Sequence, residues 1–139
     1  MATGTAGDSG RQYISHQTHY LRKYFTKADA GLTLDMGYLP PGAMVINRGV
    51  GVIEAFNAGT NNRCDIGPST DTDGFAADVA LGTVGQITTG SEMATSNDFY
   101  LTTAQLIQVV VDVTGTAATT GKAIAWVQYM VPEGVLGSS

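Results

Sequence analysis

Few residues in this sequence have the types and spacing that chemistry requires. Asp65, Asp71, Asp73, Gly74 and Asp78 form an acidic, turn-rich stretch that suits an oxygen-liganded cation. Calcium wants six or more oxygens, and the third acidic position and distal Glu of a helical calcium loop are missing. Asp before Gly or Thr more often closes a turn onto its own backbone, so turns are the expectation for the Asp71–Asp78 loop. His16 and His19, spaced three apart, could face one metal, but two ligands do not close a site. Cys64 is the one cysteine, has no basic or His neighbour in sequence, and reads as a small buried hydrophobe rather than a nucleophile. Gly115 to Lys122 (GTAATTGK) imitates a phosphate loop. Five residues separate its glycines where four are needed, and Ala123 stands where Ser or Thr would hold magnesium. Gly49-Val50-Gly51 has two of the three glycines of a dinucleotide fingerprint and no helix after it. No catalytic residue, cofactor or metal site is expected, and the chain does not read as an enzyme.

The elements that would carry any site are strands. From residue 30 onward period two dominates: Leu32, Leu34 and Met36 alternate with Thr33 and Asp35. Pro40-Pro41-Gly42 turns the chain. Residues 43–48 and 50–56 read as two strands or one long strand bent at Gly49 and Gly51. Residues 64–66 make a short strand at best, and residues 67–98 are turn-rich. Ile107, Val109, Val111 and Val113 share one face of a strand that the loop 114–121 joins to a second strand over 123–131, a hairpin by local pattern. On that last strand Ala125, Val127, Tyr129 and Val131 point one way, and Ile124, Trp126 and Met130 the other. A strand apolar on both faces must be covered twice, by a second sheet or by another subunit. Ile124, Trp126 and Met130 are therefore candidates for a homodimer face. About eight short strands with long connections predict an all-β, single-domain sandwich or jelly roll over residues 28–139.

Residues 1–27 differ in kind. Arg11, Arg22, Lys23 and Lys27 oppose Asp8 alone, whereas residues 28–139 set Arg48, Arg63 and Lys122 against the other eleven of the 12 acids; the net charge is −5. Four of the 11 aromatics, Tyr13, Tyr20, Tyr24 and Phe25, lie in this first stretch. With Ile14 and Leu21 they follow i, i+1, i+7, i+8, i+11, i+12, the spacing of an amphipathic helix whose other face holds His16, His19, Arg22 and Lys23. Tyr and Arg are favoured at interface hot spots. Residues 1–27 are thus expected to be an arm, a short helix in part, that docks on an acidic protein surface. Its contact residues would be Tyr13, Ile14, Tyr20, Leu21, Arg22, Lys23, Tyr24 and Phe25. Deleting it should leave the body folded.

Composition narrows the partners. Charged residues are 14% of the 139, against about 25% in ordinary domains. An acidic body with few clustered cations is a poor partner for nucleic acid. No run of 18 apolar residues predicts a membrane span, the first ten residues have no signal-like apolar stretch, and one cysteine fits a reducing cytoplasm.

Residues 32–83 carry a resemblance. The elements are a strand, then Leu39-Pro40-Pro41-Gly42-Ala43, a Val-rich strand, Ala55-Phe56-Asn57-Ala58-Gly59-Thr60, Asp65-Ile66-Gly67, and Asp71 through Ala76. The stretch resembles the small head proteins of tailed bacteriophages, the capsid decoration or cement proteins in particular. The resemblance implies a dimeric jelly roll on the capsid exterior that clamps major capsid subunits and stabilises the expanded shell, made in the host cytoplasm and assembled into the virion. Two other roles fit a jelly roll: a carbohydrate-binding fibre module using Tyr100 and the Asp71–Asp78 loop, and a head-completion or tail protein.

Overall fold

A computed structural model describes residues 18–87 and 99–131. Among the described residues eight strands follow one another: β1 (Thr18–Thr26), β2 (Thr33–Leu39), β3 (Met44–Glu54), β4 (Asn61–Pro68), β5 (Ala76–Ala80), β6 (Gly85–Ile87), β7 (Gln105–Thr114) and β8 (Lys122–Met130). They form two four-stranded antiparallel sheets, one ordered β1-β8-β3-β6 and the other β2-β7-β4-β5. Eight strands interleaved in this order make a jelly roll, in which two Greek keys close over one core. The all-β, single-domain expectation holds. Among the described residues no helix is long and apolar enough to cross a membrane.

Alternation builds the core. The inward positions of β7 are Ile107, Val109, Val111 and Val113, all buried, and they share one core with Val45, Val50 and Val52 of β3 and Ala123, Ala125 and Val127 of β8. Phe25 and Phe56 meet there with ring centroids 5.8 Å apart. Ala123 of β8 stands opposite Phe25, and the glycine at 121 leaves room for the Phe56 ring.

Three expectations need correction. Residues 18–26 are a strand, and among the described residues the helical turn near them is a 3-10 turn at Lys27–Asp29. Within THYLRKYFT the apolar pairs 20–21 and 24–25 straddle both faces of a strand as readily as they line a helix. Aromatic and Thr residues favour the pleated form, and β8 offers a full ladder from Thr18↔Met130 to Thr26↔Lys122. The boundary at residue 27 accordingly cuts through sheet 1-8-3-6, because Phe25 is 0% exposed in the core. Residues 11–17, with Tyr13 and Ile14, lie outside the described residues. Lastly, β7 and β8 do not form a hairpin. They sit in opposite sheets, β7 between β2 and β4 and β8 between β1 and β3. Local pattern shows that both strands are apolar; it does not show which neighbours flank them.

Strand β4 is longer than expected and central, paired with both β5 and β7. Strand β3 is one continuous strand, with register shifts at Val45/Asn47 and Val52/Glu54.

Candidate interaction face

The register of β1 on β8 sets Tyr20 opposite Gln128, Arg22 opposite Trp126, Tyr24 opposite Ile124 and Thr18 opposite Met130. Paired residues share a face, and this face points away from the core, since Ala123, Ala125 and Val127 occupy the other side of β8. Two groups of residues inferred separately from sequence, the docking residues Tyr20, Arg22 and Tyr24 and the dimer candidates Ile124, Trp126 and Met130, therefore form one surface. Tyr20 and Tyr24 are 62% and 53% exposed. Ile124, Trp126 and Met130 are half-buried. The second sheet of the sandwich does not cover them. Leu21, Lys23 and Phe25 alternate to the inward side: Leu21 packs on the core, Phe25 lies within it, and Lys23 is half-buried.

Strand β3 continues the surface. Gly49 pairs with Trp126 and Gly51 with Ile124, so neither apolar side chain has a side-chain neighbour across that ladder. Exposed Ile53 extends the apolar area, and Gln128 donates through Nε2 to the Tyr20 hydroxyl at 3.3 Å. A shallow groove of about 440 Å³ is lined by Arg22, Lys23, Tyr24 and Ile124. Gly49, Gly51 and Gln128 escape sequence reasoning because only the register places them here. The alternation of Tyr20, Arg22 and Tyr24 was the available signal.

The opposite sheet carries a different surface. Arg63 on β4 bonds Asp112 of β7 at 2.7 Å and pairs with Asp78 of β5 at 3.3 Å. The Asp112 hydrogen bond, then the Asp78 charge, raises the guanidinium pKa. Gln108 Nε2 donates to Asp35 at 2.9 Å. Asp65 accepts the Asp78 N–H at 2.7 Å. Desolvation raises its pKa, with the charges of Asp78, Asp73 and Asp112 adding to it, against the lowering by that backbone bond. Along the strands, sheet 1-8-3-6 holds Arg22, Lys23, Arg48 and Lys122 against Glu54, and sheet 2-7-4-5 holds Asp35, Asp65, Asp78 and Asp112 against Arg63. The charge asymmetry is thus sorted by sheet.

The remaining candidates resolve into structure. In the acidic loop, Asp71 N–H donates to Pro68 O and Gly74 N–H to Asp71 O, both at 2.8 Å, two successive backbone turns. They fold tightly over Gly67, where a Cβ would collide with Asp71 O and come within 2.7 Å of Gly74 N. Among the described residues no three His, Cys, Asp or Glu side chains converge as a metal site. The phosphate-loop imitation is the crossover from β7 to β8. Asn57 Oδ1 accepts the Thr119 and Thr120 N–H groups at 2.8 and 3.1 Å, and Glu54 accepts Gly121 N–H at 2.9 Å. Tyr100 bridges to Met44 beside sheet 1-8-3-6, whereas Asp78 lies on β5 of the other sheet. His19 rests against Tyr129 with centroids 5.6 Å apart, and His16 is outside the described residues. Cys64 is buried between the sheets, and desolvation, with a smaller effect of Asp65, pushes its pKa up to about 12.

No protein-family model and no curated protein matches the sequence. Solved structures do match in fold. A chain from the acidic stable capsid structure of Helicobacter pylori bacteriophage KHP30 superposes with a TM-score of 0.64 at 17% identity, over 85% of this chain and 91% of that one. A chain of the capsid of Ralstonia phage GP4 gives 0.59 at 20% identity, over 88% and 86%. One from the capsid asymmetric unit of cyanophage Pam1 gives 0.57 at 15%, over 86% and 88%.

Proposed function

We propose that this chain is a structural protein of a phage virion, a capsid decoration protein that binds the outside of the head and clamps major capsid subunits. On the quoted motifs it is similar to the cement protein of the Bordetella tropism-switching phage. The observation that carries the reading is the outward surface of sheet 1-8-3-6, where Tyr20, Tyr24, Ile53, Ile124 and Trp126 lie beside Arg22. An aromatic and aliphatic surface with Arg at its margin has the composition of a protein–protein hot spot. The likeness in fold to chains of three phage capsids supports placing that surface against a shell. The work is mechanical: each copy adds buried area across a subunit boundary. A homodimer engaging two sites converts modest contacts into firm attachment through effective concentration.

Virions of the phage that encodes the chain test this directly. A 14.4 kDa band in stoichiometric amount, with density on the outer shell by electron microscopy, is the expected result. A scarce band confined to tails or to the head–tail junction overturns it. Sedimentation of the purified chain reads the dimer separately.

A further inference from the structure

Strand β1 ends its sheet, and the phase of its ladder shows what its free edge presents. Lys27 N–H donates to Gly121 O at 3.0 Å, continuing the β1–β8 register by one pair. In an antiparallel ladder hydrogen-bonded and non-bonded pairs alternate. The odd residues of β1 therefore bond β8, and Thr18, Tyr20, Arg22 and Tyr24 aim their N–H and C=O groups outward. Thr26 shares that phase, and its outward N–H is taken by Asp29 Oδ2 at 3.0 Å. This capping box closes the edge at one end. The register shows no bulge, and the strand contains no proline. Among the described residues nothing else pairs with these groups, and a row of open donors and acceptors on a regular strand is a template for strand addition.

Charge selects the occupant. Arg22 and Lys23 line the groove beside this edge with Tyr24 and Ile124, and among the described residues neither makes an ion pair. An inward-pointing Lys on an edge strand disfavours pairing with a second copy, which would bring like charges together. We infer that the β1 edge accepts an extended acidic segment of a partner protein as a ninth strand, its outward carboxylates beside Arg22 and its backbone on Tyr20, Arg22 and Tyr24. Identifying that partner as a shell subunit rests on the function proposed above; the edge itself does not.

Three peptides of seven residues test it with the full chain: Val and Glu alternating, the same with N-methyl groups on the amides that would face β1, and Val and Lys alternating. The first should shift the backbone amide resonances of Tyr20, Arg22 and Tyr24. The other two should bind at least tenfold more weakly, and Arg22→Glu should reverse the preference between the Glu and Lys peptides. Equal binding of the methylated peptide overturns strand addition, and equal binding of the Lys peptide overturns the charge selection. Absence of binding by any peptide overturns both. So does slow hydrogen exchange at those three amides in the free chain, which would mean that its own residues or a second copy already cover the edge. Shell co-sedimentation run alongside separates the readings: binding to shells but to no peptide refutes the edge alone, and binding to peptide but not to shells refutes the shell role alone.

Discussion

At the scale of single residues, the positions that imitate chemistry do structural work. Gly121 is the clearest. It has φ +148, and a Cβ there would stand 2.5 Å from the Phe56 ring. Gly121→Ala adds backbone strain to a clash in the core. It should cost about 2–4 kcal/mol, read as a drop in urea midpoint with unchanged slope. Cys64 makes a second prediction. With its thiol buried and its pKa pushed up to about 12, it should resist an aromatic disulfide reagent at pH 8 in the native chain and react at once in denaturant. Asp65 carries a pH signature. Its carboxyl holds its proton more tightly folded than unfolded, so its contribution to stability falls as pH rises through the carboxylate range. Asp65→Asn keeps an acceptor for Asp78 N–H and removes the charge. The variant should be more stable than the native chain at pH 7 by about 0.5 kcal/mol, a small gain because the group is partly solvated, and the gap should close below the carboxylate range.

Elements are where sequence reasoning was both strongest and most often mistaken. The strands of the core were legible because Ile107–Val113 and Leu32–Met36 alternate, and that pattern is intrinsic to the pleat. Pairing was not legible. Two apolar strands joined by a loop look the same whether they zip together or cross to opposite sheets, and the crossover here depends on contacts of Asn57 and Glu54 distant in sequence. Segment 18–26 shows the same limit, since its helical spacing was outweighed by the ladder that β8 supplies. The consequence reverses an expectation. A deletion through residue 27 removes β1 and uncovers Ala123, Ala125 and Val127, so it should abolish the folded state seen by circular dichroism. Phe25→Ala should cost about 3–5 kcal/mol, whereas Tyr20→Ala and Tyr24→Ala, on exposed side chains of the same strand, should cost under about 1 kcal/mol. That contrast within one strand would distinguish a sheet member from a detachable arm.

For the whole molecule, the scarcity of charge matters less than its placement. Sequence showed cations gathered near the N-terminus; among the described strands the fold sets exposed Arg22 and Lys122 on the outer face of one sheet and Asp35, Asp65, Asp78 and Asp112 on the other, so these two strand faces differ in charge. On the cationic side the charges flank an apolar area around Trp126, and the two kinds of residue should act on different steps of docking. Long-range attraction sets the rate of encounter and is screened by salt, while desolvated apolar contact sets the rate of escape. Lys122→Glu, an exposed charge away from the β1 edge, should therefore slow association with expanded shells about threefold at low salt. The defect should shrink toward none near 0.5 M salt, where the screening length falls to about 4 Å. Trp126→Ala, at a half-buried outward position, should leave the fold intact and speed dissociation at every salt concentration. Both rates can be read by surface-immobilised shells. If the Lys122 reversal instead changed dissociation equally at all ionic strengths, Lys122 would lie within the buried contact, and the docking surface would have to extend from Trp126 to the Lys122 end of β8.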